Sequence, residues 1–174
     1  MLYFFLFLKK EERRFIMDEK VPMTRKGYEK MQEELKQLKF VDRHEVIEAI
    51  EEARSHGDLS ENAEYHAARE RQSFIEGRIL ELESALGRSQ IVDVENLKGN
   101  KVVFGGTVEI NDCDEDKKKT YQIVGQYEAD LDKGLISYQS PLSRALIGKE
   151  VGDFIELTTP KGTKTYEILS VKFI

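Results

Sequence analysis

Residues 65–87 read YHAARERQSFIEGRILELESALG. Tyr65, Ala68, Gln72, Ile75, Ile79, Leu82 and Leu86 recur at alternating spacings of three and four, the seam of a heptad helix with Gln72 as its single polar member. Upstream, Tyr28, Met31, Leu35 and Leu38 follow the same spacing. That pattern loses register near residues 42–45 and resumes with Val46, Ile50 and Ala53. Thr24 suits the N-cap of the first run, and Gly87 lies where a C-cap is expected for the second. Between the runs stands HGDLSEN at 56–62, whose Gly57 breaks the pattern. Two apolar stripes joined by a short loop bury each other, which predicts an antiparallel helical hairpin. Helices of about 28–30 residues would make an arm of about 40–45 Å, longer than a small domain is wide.

From residue 100 the period changes to two. KVVFGGTVEIN, KTYQIVG, LISY, DFIELTTP and TKTYEILSVKFI read as strands. DCDEDKKK at 112–119 reads as a solvated hairpin tip, and PKG at 160–162 as a turn. SPLSRALIGK carries the start and stop signals of a short helix: Ser140 at N-cap, Pro141 at the first turn, Gly148 beyond the end. The expected class is α+β: a long antiparallel coiled-coil hairpin, then a domain with an antiparallel sheet and a short helix. The expected division is an extension at 1–17, the hairpin at 18–90, a linker at 91–99 and the second domain at 100–174.

Charge and cysteine usage narrow the function. Lys and Arg total 27 and Asp and Glu 33, a formal net charge of -6, which argues against a non-specific DNA coat. The single cysteine, Cys113, excludes an intrachain disulfide and a cysteine metal cluster, and fits a reducing cytoplasm. The chain opens with MLYFFLFL and only then KKEERR. A secretory signal has the opposite order, and the apolar run is too short to span a bilayer. Met17 opens MDEKVPMTRKGYEK like a natural start, so residues 1–16 are expected to lie upstream of it. A short apolar element docked on the protein is the alternative.

The break at 56–62 has two readings. Asp58 and Glu61 have the spacing of a capping box, in which Asp58 caps the N3 amide and Glu61 reaches back. The same spacing sets two carboxylates on one side of a first turn, at the end of a long arm. Paired carboxylates suit Mg²⁺, but two alone are a poor site, because Mg²⁺ keeps its waters unless several fixed oxygens surround it. A partner would have to supply the remainder. Arg54, Arg69 and Arg71 near the tip suit phosphate oxygens, or pairing with Glu51, Glu64 and Glu70 along the helices. His56 and His66 with Asp58 lack a third neutral ligand for a metal.

HGDLSENAEYHAARE closely resembles the coiled-coil tip of the GreA/GreB family of bacterial transcript cleavage factors, on the GreA side of that family. VPMTRKGYEKMQEELKQL resembles the family's opening helix, and LISYQSPLSRALIGKEVGD its C-terminal polymerase-contacting segment. The resemblance covers residues 18–174. It implies a coiled coil that enters the secondary channel of RNA polymerase and an FKBP-like domain that docks at the channel rim. It also implies that Asp58 and Glu61 help hold a second catalytic Mg²⁺ when the RNA 3′ end backs into the channel. The polymerase then cuts its own transcript, so the protein is not an enzyme alone. Arg54 and Arg69 match a basic patch facing the extruded RNA. Ser140, Pro141 and Arg144 match the segment that grips the rim. The resemblance implies no prolyl isomerase activity. Rival readings are a same-family inhibitor, which would carry a more acid-rich tip, a helical-hairpin scaffold or chaperone, and an isomerase-like binding module with an unrelated arm.

Overall fold

The computed structural model of the chain describes residues 20–57, 59, 61–94, 97–160 and 162–173. The extension expected at 1–17 lies outside these residues, as does Asp58. Contacts divide the chain into two units, Met1–Val21 with Tyr28–Ser89, and Pro22–Gly27 with Gln90–Ile174. The division differs from the expected one at 18–90, because the segment that starts the first helix packs with the second unit.

One continuous helical run forms the first limb of the hairpin: α1 (Arg25–Gln37), a π-helical segment (Leu38–Asp42) and α2 (Arg43–Ser55). The returning limb is α3 (Ala63–Gly87). Met31, Val46, Ala53, Ile75, Ile79 and Leu82 are buried, and Val46, Ile75 and Ile79 pack with Leu35, Leu38 and Ile50. Burying side chains of this size stabilises by about 1.5–3 kcal/mol each. The π segment sits where the sequence pattern slips. Its i→i+5 bonding adds a residue to one turn, so Leu38 and Val46 both face the seam although they are out of heptad step.

Ion pairs flank the seam. Arg43 forks onto Glu76 at 2.7 and 2.5 Å, Arg78 onto Glu34 at 2.7 and 3.1 Å, and Lys39 meets Glu83 at 2.5 Å. Hydrogen bonds donated to these carboxylates hold the Arg43 and Arg78 guanidinium groups above their usual pKa. α3 has 25 residues, fewer than expected, because it begins only at Ala63. Gly87 is its last helical residue; Arg88 takes the C-cap position, and Gly87 is not among the residues with positive φ.

A two-stranded ribbon pairs β1 (Val21–Thr24) with β2 (Ser89–Val92). Part of the expected linker at 91–99 is therefore strand, and Val94 beyond it is buried. Gly105 meets Val94 so closely that a Cβ there would collide with it, at a left-handed φ of 84°. A turn consequently occupies 103–106, and the strand expected from 101 starts only at 107.

The main sheet has five strands in the order β5-β4-β3-β7-β6: β3 (Thr107–Asp112), β4 (Lys117–Val124), β5 (Leu135–Ser137), β6 (Phe154–Thr159) and β7 (Gly162–Lys172). Alternate residues of β3 are buried, as a half-buried strand requires. The sheet is mixed rather than antiparallel, since β5 runs parallel to β4. The connection 125–134, with a 3₁₀ turn at Leu131–Lys133 and Gly134 at φ 70°, returns the chain to the sheet edge in the same direction. Helix α4 (Pro141–Leu146) packs on β6, and Leu146 joins Val108, Ile110, Ile123 and Ile168 in the core.

Candidate functional site

The hairpin tip is the turn between Ser55 and Ala63. His56 takes the C-cap of α2 and donates its amide to the Ala53 carbonyl at 3.3 Å. Gly57 follows at φ 108°, a conformation that favours glycine. Asn62 then caps α3, its Oδ1 accepting the Tyr65 amide at 3.0 Å. Its Nδ2 donates to the Ala53 carbonyl at 2.8 Å, which ties the start of one helix to the end of the other. The capping box expected at Asp58 and Glu61 is thus not the cap of α3. Glu61 precedes the N-cap and lies outside the first turn. Asn62 is the residue that sequence reasoning passed over, although Asn is among the best N-caps and stands directly before the helical run.

Glu61 and Arg54 are exposed, and among the described residues neither side chain has a hydrogen-bond or ion-pair partner. Arg69, also exposed, donates to Gln72 Oε1 at 2.5 Å. Arg71 reaches across the hairpin to Glu45 at 3.1 Å instead of pairing with Glu51, Glu64 or Glu70. The Tyr65 and His66 rings meet edge to face at 5.7 Å. Among the described residues no three His, Cys, Asp or Glu side chains converge as a metal ligand set. A carboxylate exposed in this way is open to solvent and to an incoming partner.

Ser140, Pro141 and Arg144 belong to the other unit. Ser140 caps α4, its Oγ accepting the Ser143 amide at 3.2 Å and lying 2.9 Å from the Ser143 hydroxyl. Pro141 opens the helix, and Gly148 beyond it has φ 87°. Arg144 is exposed, as are Ile147, Val151 and Phe154. Buried Ser143 and Leu146 hold the helix down, so its outer side stands on a rigid base. Among the described residues no helix is long and apolar enough to cross a membrane.

Comparison with known proteins matches both units. Residues 21–91 match the family described as transcription elongation factor, N-terminal, and residues 97–173 the family described as transcription elongation factor, GreA/GreB, C-term. The chain is 58% identical over 156 residues to transcription elongation factor GreA of Paracoccus denitrificans, covering 90% of this chain and 99% of that protein. It is 59% identical, with the same coverage, to transcription elongation factor GreA of Caulobacter vibrioides. The crystal structure of GreA factor homolog 1 of Thermus thermophilus aligns at 29% identity over 88% of this chain and 99% of that one, with a TM-score of 0.41. With matches spanning both the hairpin and the sheet domain, the chain belongs to the GreA/GreB family of transcription elongation factors.

Proposed function

We propose that this elongation factor rescues backtracked RNA polymerase by stimulating the polymerase's own Mg²⁺-dependent cleavage of the nascent RNA 3′ end. The observation that carries the reading is Glu61: an exposed carboxylate, without a partner among the described residues, in the turn that ends a long helical hairpin. Asp58, three residues earlier, lies outside the described residues and is proposed to act with it. Two such acids fit a shared Mg²⁺ site, since Mg²⁺ keeps its waters unless several fixed oxygens surround it. When bound, Mg²⁺ supplies charge stabilisation at a phosphate and a more acidic water. Glu61 would orient that water or accept its proton. The factor contributes carboxylates to the polymerase's site and is not an enzyme alone. Arg54 and Arg69 are proposed to contact the phosphates of the extruded RNA. Ser140, Pro141 and Arg144 are proposed to dock on the rim of the polymerase's secondary channel.

The test is to add the protein to stalled, backtracked elongation complexes with Mg²⁺ and follow the RNA 3′ end. Short 3′ fragments are expected with the wild-type chain. Glu61→Gln and Asp58→Asn should abolish them while still competing with the wild type for polymerase. Normal cleavage by both variants would overturn the tip mechanism. A wild-type chain that only blocks elongation would establish the inhibitor reading instead.

A further inference from the structure

Helix α1 has a glycine as its third residue, where a helix former would be more stable. Gly27 lies in its first turn, and glycine is a poorer helix former than alanine. Its φ is not in the left-handed region, so backbone strain does not explain it. The reason is the Glu128 side chain: a Cβ on Gly27 would run into the Glu128 carboxylate. A second glycine, Gly125, borders the same group. A Cβ there would lie 2.6 Å from Glu128 Oε1 and 2.7 Å from the Pro22 carbonyl oxygen.

The carboxylate is held on several sides. Glu128 Oε1 accepts the Thr24 amide at 3.0 Å and the Gly125 amide at 3.1 Å, and Oε2 accepts the Thr24 hydroxyl. Thr24 Oγ1 in turn accepts the Gly27 amide at 3.0 Å, as an N-cap does. Its hydroxyl proton is thereby committed to Glu128 while its lone pair serves the helix. A negative charge beside a helix N-terminus is further favoured by the helix dipole. All four residues lie in the second unit, and Thr24 and its neighbour Met23 are buried. From Tyr28 onward the same helix belongs to the first unit.

We propose that Glu128 is a positioning residue for transcript cleavage: it clamps the first turn of the helix that carries the tip, through Thr24, in a cradle that Gly27 and Gly125 keep open. Carboxylates that complete another molecule's site act only when held close to the productive geometry, and a displacement of about 1 Å costs up to about 10²-fold in rate. The inference rests on the cleavage reading above.

Three chains of Glu128 distinguish the outcomes: wild type, Glu128→Gln and Glu128→Ala. The glutamine keeps an oxygen acceptor for the two amides; the alanine keeps none. With backtracked complexes, Glu128→Ala should lower the maximal cleavage rate by about tenfold at saturating factor. The concentration giving half-maximal cleavage should stay unchanged, and Glu128→Gln should recover most of the rate. Amide hydrogen exchange of the free protein should show lost protection at Thr24 and Gly125 in Glu128→Ala, with the α3 amides unaffected. Full cleavage rate in Glu128→Ala would overturn the proposal, as would a change confined to the half-maximal concentration. Unaltered exchange at Thr24 would overturn the clamp itself. Absence of cleavage with the wild-type chain would instead defeat the cleavage reading, and the exchange result would still decide the clamp.

Discussion

Asn62 Nδ2 donates to the Ala53 carbonyl at 2.8 Å while its Oδ1 accepts the Tyr65 amide at 3.0 Å, so one side chain both starts α3 and ties it to the end of α2. The two bonds can be separated by substitution. Aspartate caps about as well as asparagine but has no donor, so Asn62→Asp should keep α3 intact and release Ala53. Asn62→Ala loses both and should cost about 1 kcal/mol for the cap alone. Chemical denaturation of the two variants checks the order. Exchange of the Tyr65 amide should rise in the alanine variant only. Because Asn62 takes the N-cap of α3, Asp58→Ala is expected to carry no cap penalty, and any activity it loses then reports on chemistry.

That assignment marks how far the sequence could be read. The seam from Tyr65 to Leu86 was legible, because the burial of Ile75, Ile79 and Leu82 is what creates a period of three and four. The start of α3 was not. Asp58, Ser60 and Asn62 all have N-cap chemistry, and only the carbonyl of Ala53 selects among them. The exposure of Glu61 followed from its place in a polar turn. The clamp on Glu128 joins residues 104 apart, and no local pattern announces such a pair. The parallel pairing of β5 escaped notice for a related reason. A three-residue strand has no usable alternation, and its direction is set by the path of 125–134.

The hairpin should depend on its seam far more than on its ion pairs. Ile79 is 2% exposed, so Ile79→Ala should cost about 2–5 kcal/mol in lost burial and cavity formation. Arg78 makes bidentate contact with Glu34 and a further bond to Glu81, yet all three side chains remain a third or more exposed. Water and salt screen such pairs. A double-mutant cycle on Arg78 and Glu34 should give a coupling no larger than about 1 kcal/mol, declining as salt is added. A coupling larger than the Ile79→Ala loss would contradict this ranking.

The β3–β4 tip should respond to acid through Lys164. Its Nζ lies 2.8 Å from buried Asp112 and 2.6 Å from Glu115. Hydrogen bonding from Lys164, and then from Lys117, pulls the Glu115 carboxyl down to about 2. Lys164 likewise lowers Asp112, whose Oδ1 also accepts the amides of Asp114 and Glu115. Groups depressed in the folded state stabilise it fully above their ordinary pKa of about 4 and lose that contribution as pH falls through the folded value. The melting temperature of the second unit should therefore fall between pH about 4 and about 2. Lys164→Met should lower it at neutral pH and flatten that fall. An equally steep acid limb in Lys164→Met would show that other carboxylates govern the transition.

The π-helical segment Leu38–Asp42 makes a sharper prediction about register. Leu38 and Val46 share the seam only because one turn between them is widened. Deleting Phe40, which is 68% exposed and contributes little to the core, should let that turn relax to ordinary α-helix. Leu38 and Val46 would then stand in heptad step, with the seam preserved on both sides. The deletion should therefore leave the hairpin folded and its melting temperature close to wild type, although it shortens that limb by about 1.5 Å. Deleting Glu48 offers the contrast, for it lies in regular α2 between Val46 and Ile50. There the loss of one residue rotates everything upstream by about 100° relative to Ile50 and Ala53, and the seam splits. Circular dichroism melts of the two deletions would decide the matter. If removal of Phe40 is as destructive as removal of Glu48, the widened turn is not what keeps Leu38 and Val46 in phase.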